Sequence, residues 1–191
     1  PTSTAFCFRV VKSTGAVLNT YTVIPQITTA SVNSPPTVSA VVLNSGSAII
    51  LTPNTTTTIT AVASTTDPNG AGDIRFATST IYRSGVTATS SCAANNLNCY
   101  QLASSSCNFI DATSTVRCSA DIWYFAQATD ASSSFSSQNW LAKITVTDSV
   151  PTAGSSSTAS GVELLTLLAI DVTTSSINYG TLTPNTNTGA T

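Results

Sequence analysis

The sequence predicts an all-β protein: an antiparallel β-sandwich with a strand-like extension at its N-terminus and a polar tail at its C-terminus. Three observations carry this. Nearly every patterned segment alternates apolar and polar residues with period two. Thr and Val dominate those segments, and β-branched side chains suit a pleated surface. No segment shows a helical period, and turn signals rich in Gly, Pro, Asn and Ser separate the runs.

The 191 residues divide into three parts. Residues 1–35 read as a β-hairpin extension and a spacer, with strands over 6–12 and 16–27 around a turn at Ser13-Thr14-Gly15. Asn33-Ser34-Pro35-Pro36 forms the stiff boundary, because Pro-Pro disfavours both helix and ladder pairing. Residues 36–172 read as the sandwich, with candidate strands 37–44, 48–52, 56–65, 73–83, 98–103, 113–127, 139–148 and 162–172. Along 73–83, Ile74, Phe76, Thr78, Thr80 and Tyr82 share the face expected on the core, and Arg75, Ser79 and Arg83 share the wet one. Along 113–127 the inward set is Val116, Cys118, Ala120, Ile122 and Tyr124. Along 139–148 it is Trp140, Ala142, Ile144 and Val146. The Ser/Thr/Gly stretch 153–161 reads as a flexible loop or linker. Residues 173–191 form the tail, with one apolar cluster at Ile177 and Tyr179.

Composition narrows the chemistry. The chain has no His, only 7% charged residues and a net charge of −2. Without His there is no Ser-His-Asp or Cys-His nucleophile system and no imidazole metal ligand. Six basic residues do not build a nucleic-acid footprint, which needs clustered Lys and Arg. No apolar run approaches the roughly 18 residues that span a bilayer. At 41% hydrophobic the chain can still bury a core.

Five cysteines are present. None forms a C-x-x-C pair, which argues against a zinc site or a thioredoxin motif. The cluster Cys92, Cys99, Cys107 and Cys118 reads as two disulfides formed in an oxidising compartment. The expected pairing is Cys92–Cys99 and Cys107–Cys118, each closing a short loop. Cys7 is left over, as a buried thiol or as the partner of another chain. Pro1 opens directly in polar sequence, which a processed chain and a cytosolic location explain equally well; the cysteines favour processing.

The hairpin needs cover, since an isolated one is marginal in water. Phe6, Phe8, Val10, Val17, Tyr21, Val23 and Ile24 pack either on the same core or on another molecule.

Several segments carry a resemblance. The runs 54–61 (NTTTTITA), 67–74 (DPNGAGDI), 81–85 (IYRSG), 92–100 and 139–148 (NWLAKITVTD) resemble immunoglobulin-like or fibronectin-like modules of large secreted bacterial surface proteins. Residues 177–184 (INYGTLTP) resemble the first strand of a following module, and 6–10 (FCFRV) the last strands of a preceding one. The resemblance implies an immunoglobulin-like sandwich flanked by two incomplete modules, which neighbouring copies would complete by donating strands. Phe6, Phe8, Val10, Tyr21, Val23, Ile177 and Tyr179 are then the expected subunit interface. A head-to-tail contact that does not close gives an open filament. The function expected is a structural subunit of an extracellular filament or pilus-like fibre, a homopolymer. The alternative is an adhesin-type module binding carbohydrate or a host surface.

The individual sites read as follows. Asp67, Asn69 and Asp73 in a Gly-rich turn offer the oxygen ligands that calcium takes; a plain strand-connecting turn is the competing reading. No other cofactor is expected. The carboxylates Asp111, Asp121 and Asp130 are scattered singly and give no support for the paired acids of a glycosidase. Trp123 and Phe125 fall on the face opposite Tyr124 and Trp140. They are expected at the surface or at a neighbouring subunit, with Tyr124 and Trp140 in the core. Asn54 heads the sequon Asn54-Thr55-Thr56 and is the candidate glycosylation site.

Overall fold

The computed structural model describes residues 32–86, 92–111, 115–158 and 160–169. The chain divides into two units at Val32/Asn33, and the sandwich belongs to the second. Its strands are β1 (Thr37–Leu43), β2 (Thr56–Thr66), β3 (Ile74–Arg83), β4 (Cys99–Leu102), β5 (Cys107–Phe109), β6 (Thr115–Trp123), β7 (Trp140–Asp148) and β8 (Ala153–Ser157). They form two four-stranded sheets, ordered β1-β2-β6-β5 and β4-β3-β7-β8, and every pair is antiparallel.

Period-two patterning builds the core. Val116, Cys118, Ala120 and Ile122 of β6 are buried while the residues between them are exposed. In β7, Trp140, Ala142, Ile144 and Val146 are buried, as their alternation predicts. In β2, Ile59, Ala61, Ala63 and Thr65 face inward. The apolar ones among them join Val41, Leu43, Ile49, Ile81 and Leu164 in one continuous cluster. Trp140 anchors it, fully buried, with its indole Nε1 donating to the Gln127 carbonyl at 3.0 Å.

Four strand expectations are corrected. In β3 the register shifts between Ile74 and Phe76, so Arg75 is an extra residue. A bulge reverses the facing of everything after it. Ala77, Ser79, Ile81 and Arg83 are buried, while Phe76 is 44% exposed. Tyr82 stays buried on the outer face, in a second small cluster with Cys92 and Cys99. Residues 153–161, expected as a loop, contain the edge strand β8 paired to β7. Segments 48–52 and 162–172, expected as strands, contribute only the single bridges Ile49–Leu164 and Trp140–Val162 among the described residues. Finally, β6 ends at Trp123, and Ala126 N–H turns back to the Trp123 carbonyl. Tyr124 is therefore 38% exposed rather than in the core. Tyr100 takes the place beside Trp140, with ring centroids 5.9 Å apart.

Two features define the outline of the sandwich. First, β8 carries Gly154, and a Cβ there would overlap the Pro36 carbonyl oxygen. The backbone leading into β1 thus lies directly against the outermost strand of the other sheet. A glycine permits that approach and a side chain does not. Second, the ends of the sandwich are distinct. Asn33 reaches Asp148, at the C-terminal end of β7. Val162 bridges Trp140, at the N-terminal end of β7. At about 3.4 Å per residue, β7 separates these points by about 27 Å. The chain enters at one pole, and residues 162–166 are held at the other.

Candidate metal centre

The turn between β2 and β3 is set by its own sequence. Asp67 Oδ1 accepts the Asn69 N–H at 2.7 Å, and the Asp67 carbonyl accepts the Gly70 N–H at 3.0 Å. Gly70 has φ of +107°, which favours glycine. A one-turn 3-10 helix, Ala71–Asp73, follows and delivers Asp73.

This places Asp67 and Asp73 beside a third carboxylate, Asp148. One oxygen from each lies within 4.8 Å of the other two. The surrounding donors are neutral. Asp148 accepts the Asn33 amide at 2.8 Å, the Thr152 N–H at 2.9 Å, and the Thr152 hydroxyl. Asp73 accepts the Ser149 hydroxyl. Asp67 Oδ2 is buried and has no hydrogen-bond partner. Burial pushes the Asp148 carboxyl up, but the hydrogen bonds from Thr152 and Asn33 outweigh it and hold the group below its ordinary value.

Of the expected ligands, Asp67 and Asp73 come together. Asn69 turns its amide oxygen to the Ser34 N–H at 2.7 Å. Asp148 was not among the expected residues, yet its signal was present. It continues the inward parity of Trp140, Ala142, Ile144 and Val146, and it is 2% exposed. A carboxylate at an inward position of a strand needs partners.

No family model, no curated protein and no solved structure matches the chain.

The other expected site residues fall out as follows. Both disulfides form as paired in the sequence reading, Cys92–Cys99 and Cys107–Cys118. The second joins directly opposed residues of β5 and β6. Asn54 is exposed, at φ of +59°, in the turn before β2. Trp123 and Phe125 are 39% and 44% exposed and stack on each other with centroids 5.6 Å apart. Tyr124 meets Phe125 edge-on at 5.2 Å. Phe6, Cys7, Phe8, Val10, Tyr21, Val23, Ile177 and Tyr179 lie outside the described residues.

Asp111, Asp121 and Asp130 each accept local hydrogen bonds. Asp121 accepts the Thr58 hydroxyl at 2.6 Å, and Asp111 accepts the Thr115 hydroxyl at 3.3 Å. Asp130 accepts the Thr166 hydroxyl at 2.6 Å and its N–H at 2.9 Å. These bonds hold the Asp130 carboxyl below its ordinary value. A lowered folded value stabilises the protein above the unfolded one, near pH 4, and that contribution is lost as pH falls through the folded value. With no His in the chain, stability is expected to stay flat between about pH 5 and 8 and to fall only below about 4. Melting temperatures from pH 8 to pH 2 check this. Asp130→Asn should make the acid decline shallower, and an unchanged slope would remove Asp130 from the account.

Among the described residues, no helix is long and apolar enough to cross a membrane.

Proposed function

We propose that the chain is an extracellular structural module, a subunit of a surface filament joined head-to-tail through its terminal segments. The observation that carries this reading is the placement of the two chain ends of the sandwich at opposite poles, Asn33 beside Asp148 and Val162 beside Trp140. A module threaded from pole to pole can be linked in series, and series linkage without closure makes a fibre. Two further facts support it. The two disulfides suit an oxidising, extracellular setting. The strand orders β1-β2-β6-β5 and β4-β3-β7-β8 correspond to A-B-E-D and C′-C-F-G, the arrangement of an immunoglobulin-like sandwich. Phe6, Phe8, Val10, Tyr21 and Val23 would then be donated to the next copy, with Ile177 and Tyr179 at the same joint.

Negative-stain microscopy of the purified full chain tests the proposal. Regular fibres are expected, and removal of residues 1–31 should leave monomers. Monodisperse particles from the full chain, or fibres that persist after the deletion, would overturn it.

The exposed group Trp123, Tyr124 and Phe125 favours a second reading, an adhesin-type module that stacks sugar rings on this surface. Glycan binding that is lost in Trp123→Ala, by a chain that forms no fibres, would select it.

A further inference from the structure

We propose that Asn54 carries an N-linked glycan whose first sugar ring lies on the exposed aromatic stack of Trp123 and Phe125. The sequence supplies the acceptor. Asn54-Thr55-Thr56 is the one N-x-[ST] sequon in the chain. The fold puts it where a bulky group is tolerated. Asn54 and Thr55 are exposed, in the turn ahead of β2. The Thr52 N–H donates to the Thr57 hydroxyl at 3.1 Å across that turn. Asn54 sits at φ of +59°, a conformation Asn adopts more readily than most residues.

The aromatic stack is an independent observation. Trp123 and Phe125 are both exposed, and their ring planes are only 20° apart. Large aromatic rings grouped at a surface mark a binding surface. A pyranose ring suits this one. The C–H groups on one of its faces pack on the negative face of an aromatic ring, while its hydroxyls stay in water.

Strand register joins the acceptor to the stack. Thr56 of β2 pairs with Trp123 of β6, and the Tyr124 N–H donates to the Thr55 carbonyl at 3.2 Å. Asn54 precedes Thr56 by two residues. Diagonal neighbours at that offset lie about 7–8 Å apart in an antiparallel pair, within reach of an Asn side chain lengthened by one sugar ring. The bond is made by an oligosaccharyltransferase of the exporting cell. Asn54 Nδ2 attacks the anomeric carbon of a sugar carried on a lipid pyrophosphate and gives up one amide proton to the transferase. The C–O bond to the pyrophosphate breaks, and the lipid pyrophosphate leaves with the electron pair. This inference does not depend on assembly. It gives the chain's own sugar the surface that an adhesin would offer to a foreign one.

The test uses the full chain secreted from eukaryotic cells, whose transferase reads this sequon. Peptide mass spectrometry is expected to find a glycan on Asn54 and to lose it in Asn54→Gln and in Thr56→Ala, which keeps Asn54 and removes only the sequon hydroxyl. Iodide quenching of tryptophan fluorescence then reads the contact. The chain has two Trp, and Trp140 is fully buried, so the quenchable emission comes from Trp123. Quenching should be weaker in the glycosylated chain than in either variant. Trimming the glycan to its first sugar with an endoglycosidase should leave that protection in place, and releasing the whole glycan should abolish it. An unmodified Asn54, equal quenching with and without the first sugar, or protection that disappears on trimming would each overturn the proposal.

Discussion

Replacing Trp140 with Ala is expected to destabilise the sandwich by about 3–5 kcal/mol. Trp140 is 0% exposed and is the largest of the fully buried side chains. Three kinds of interaction end together in this substitution. The side chain leaves a cavity under Tyr100, whose ring centroid is 5.9 Å away. The Gln127 carbonyl loses its indole donor. The backbone of residue 140, bonded both ways to Val162 at 2.8 and 3.0 Å, loses the packing that holds it. A domain of this kind has about 5–15 kcal/mol in total, so the variant should sit near the edge of folding. Trp140→Phe separates the causes. It keeps most of the apolar volume and loses the hydrogen bond, and it should cost less than the Ala substitution. Urea unfolding followed by circular dichroism reads both. Equal losses for Phe and Ala would show that the Gln127 bond, not the cavity, dominates.

Removal of the Cys107–Cys118 bridge, as the double Ala variant, is expected to cost about 2.8 kcal/mol. The loop-entropy model gives that figure for a separation of 11 residues. The bridge also lies inside the main cluster, with Cys118 0% exposed, so the loss of sulfur adds a packing defect. The Cys92–Cys99 bridge spans 7 residues, for which the same model gives about 2.4 kcal/mol. It pins a small cluster on the outer face with Tyr82. Losing it should loosen residues 92–99 more than it lowers the global midpoint. Denaturant melts of the two double variants check the order, and a larger loss for Cys92–Cys99 would contradict the placement of the main core around β5 and β6.

What the sequence shows of this fold depends on where tertiary structure leaves local pattern alone. β6 and β7 run straight through the centre of their sheets, so Val116 to Ile122 and Trp140 to Val146 alternate as they are buried. Both disulfides were legible because each closes a short local loop. β3 was misread because one bulged residue, Arg75, flips its facing, and nothing in the local alternation marks a bulge. β8 was missed because Ala, Gly and Ser have low strand propensity. Its composition answers to the close approach of Pro36, a contact about 118 residues away in the chain that no local pattern reveals. The site was half legible. Asp67 and Asp73 share one turn, whereas Asp148 joins them only through the pairing Ile74–Asp148 between β3 and β7.

The pole-to-pole path of the chain has a mechanical consequence. Tension applied between Asn33 and residues 162–166 would pull β1 along its own length, antiparallel to β2. Antiparallel ladder bonds run across the strands, so this load shears them together rather than peeling them one at a time. The pairs from Thr37–Thr66 to Leu43–Ala61 would share the force. Asn33 and Ser34, tied to Asp148 and Asn69, stand ahead of β1 as the first links to take the strain. A unit built this way resists stretching most along the axis in which it would be strung.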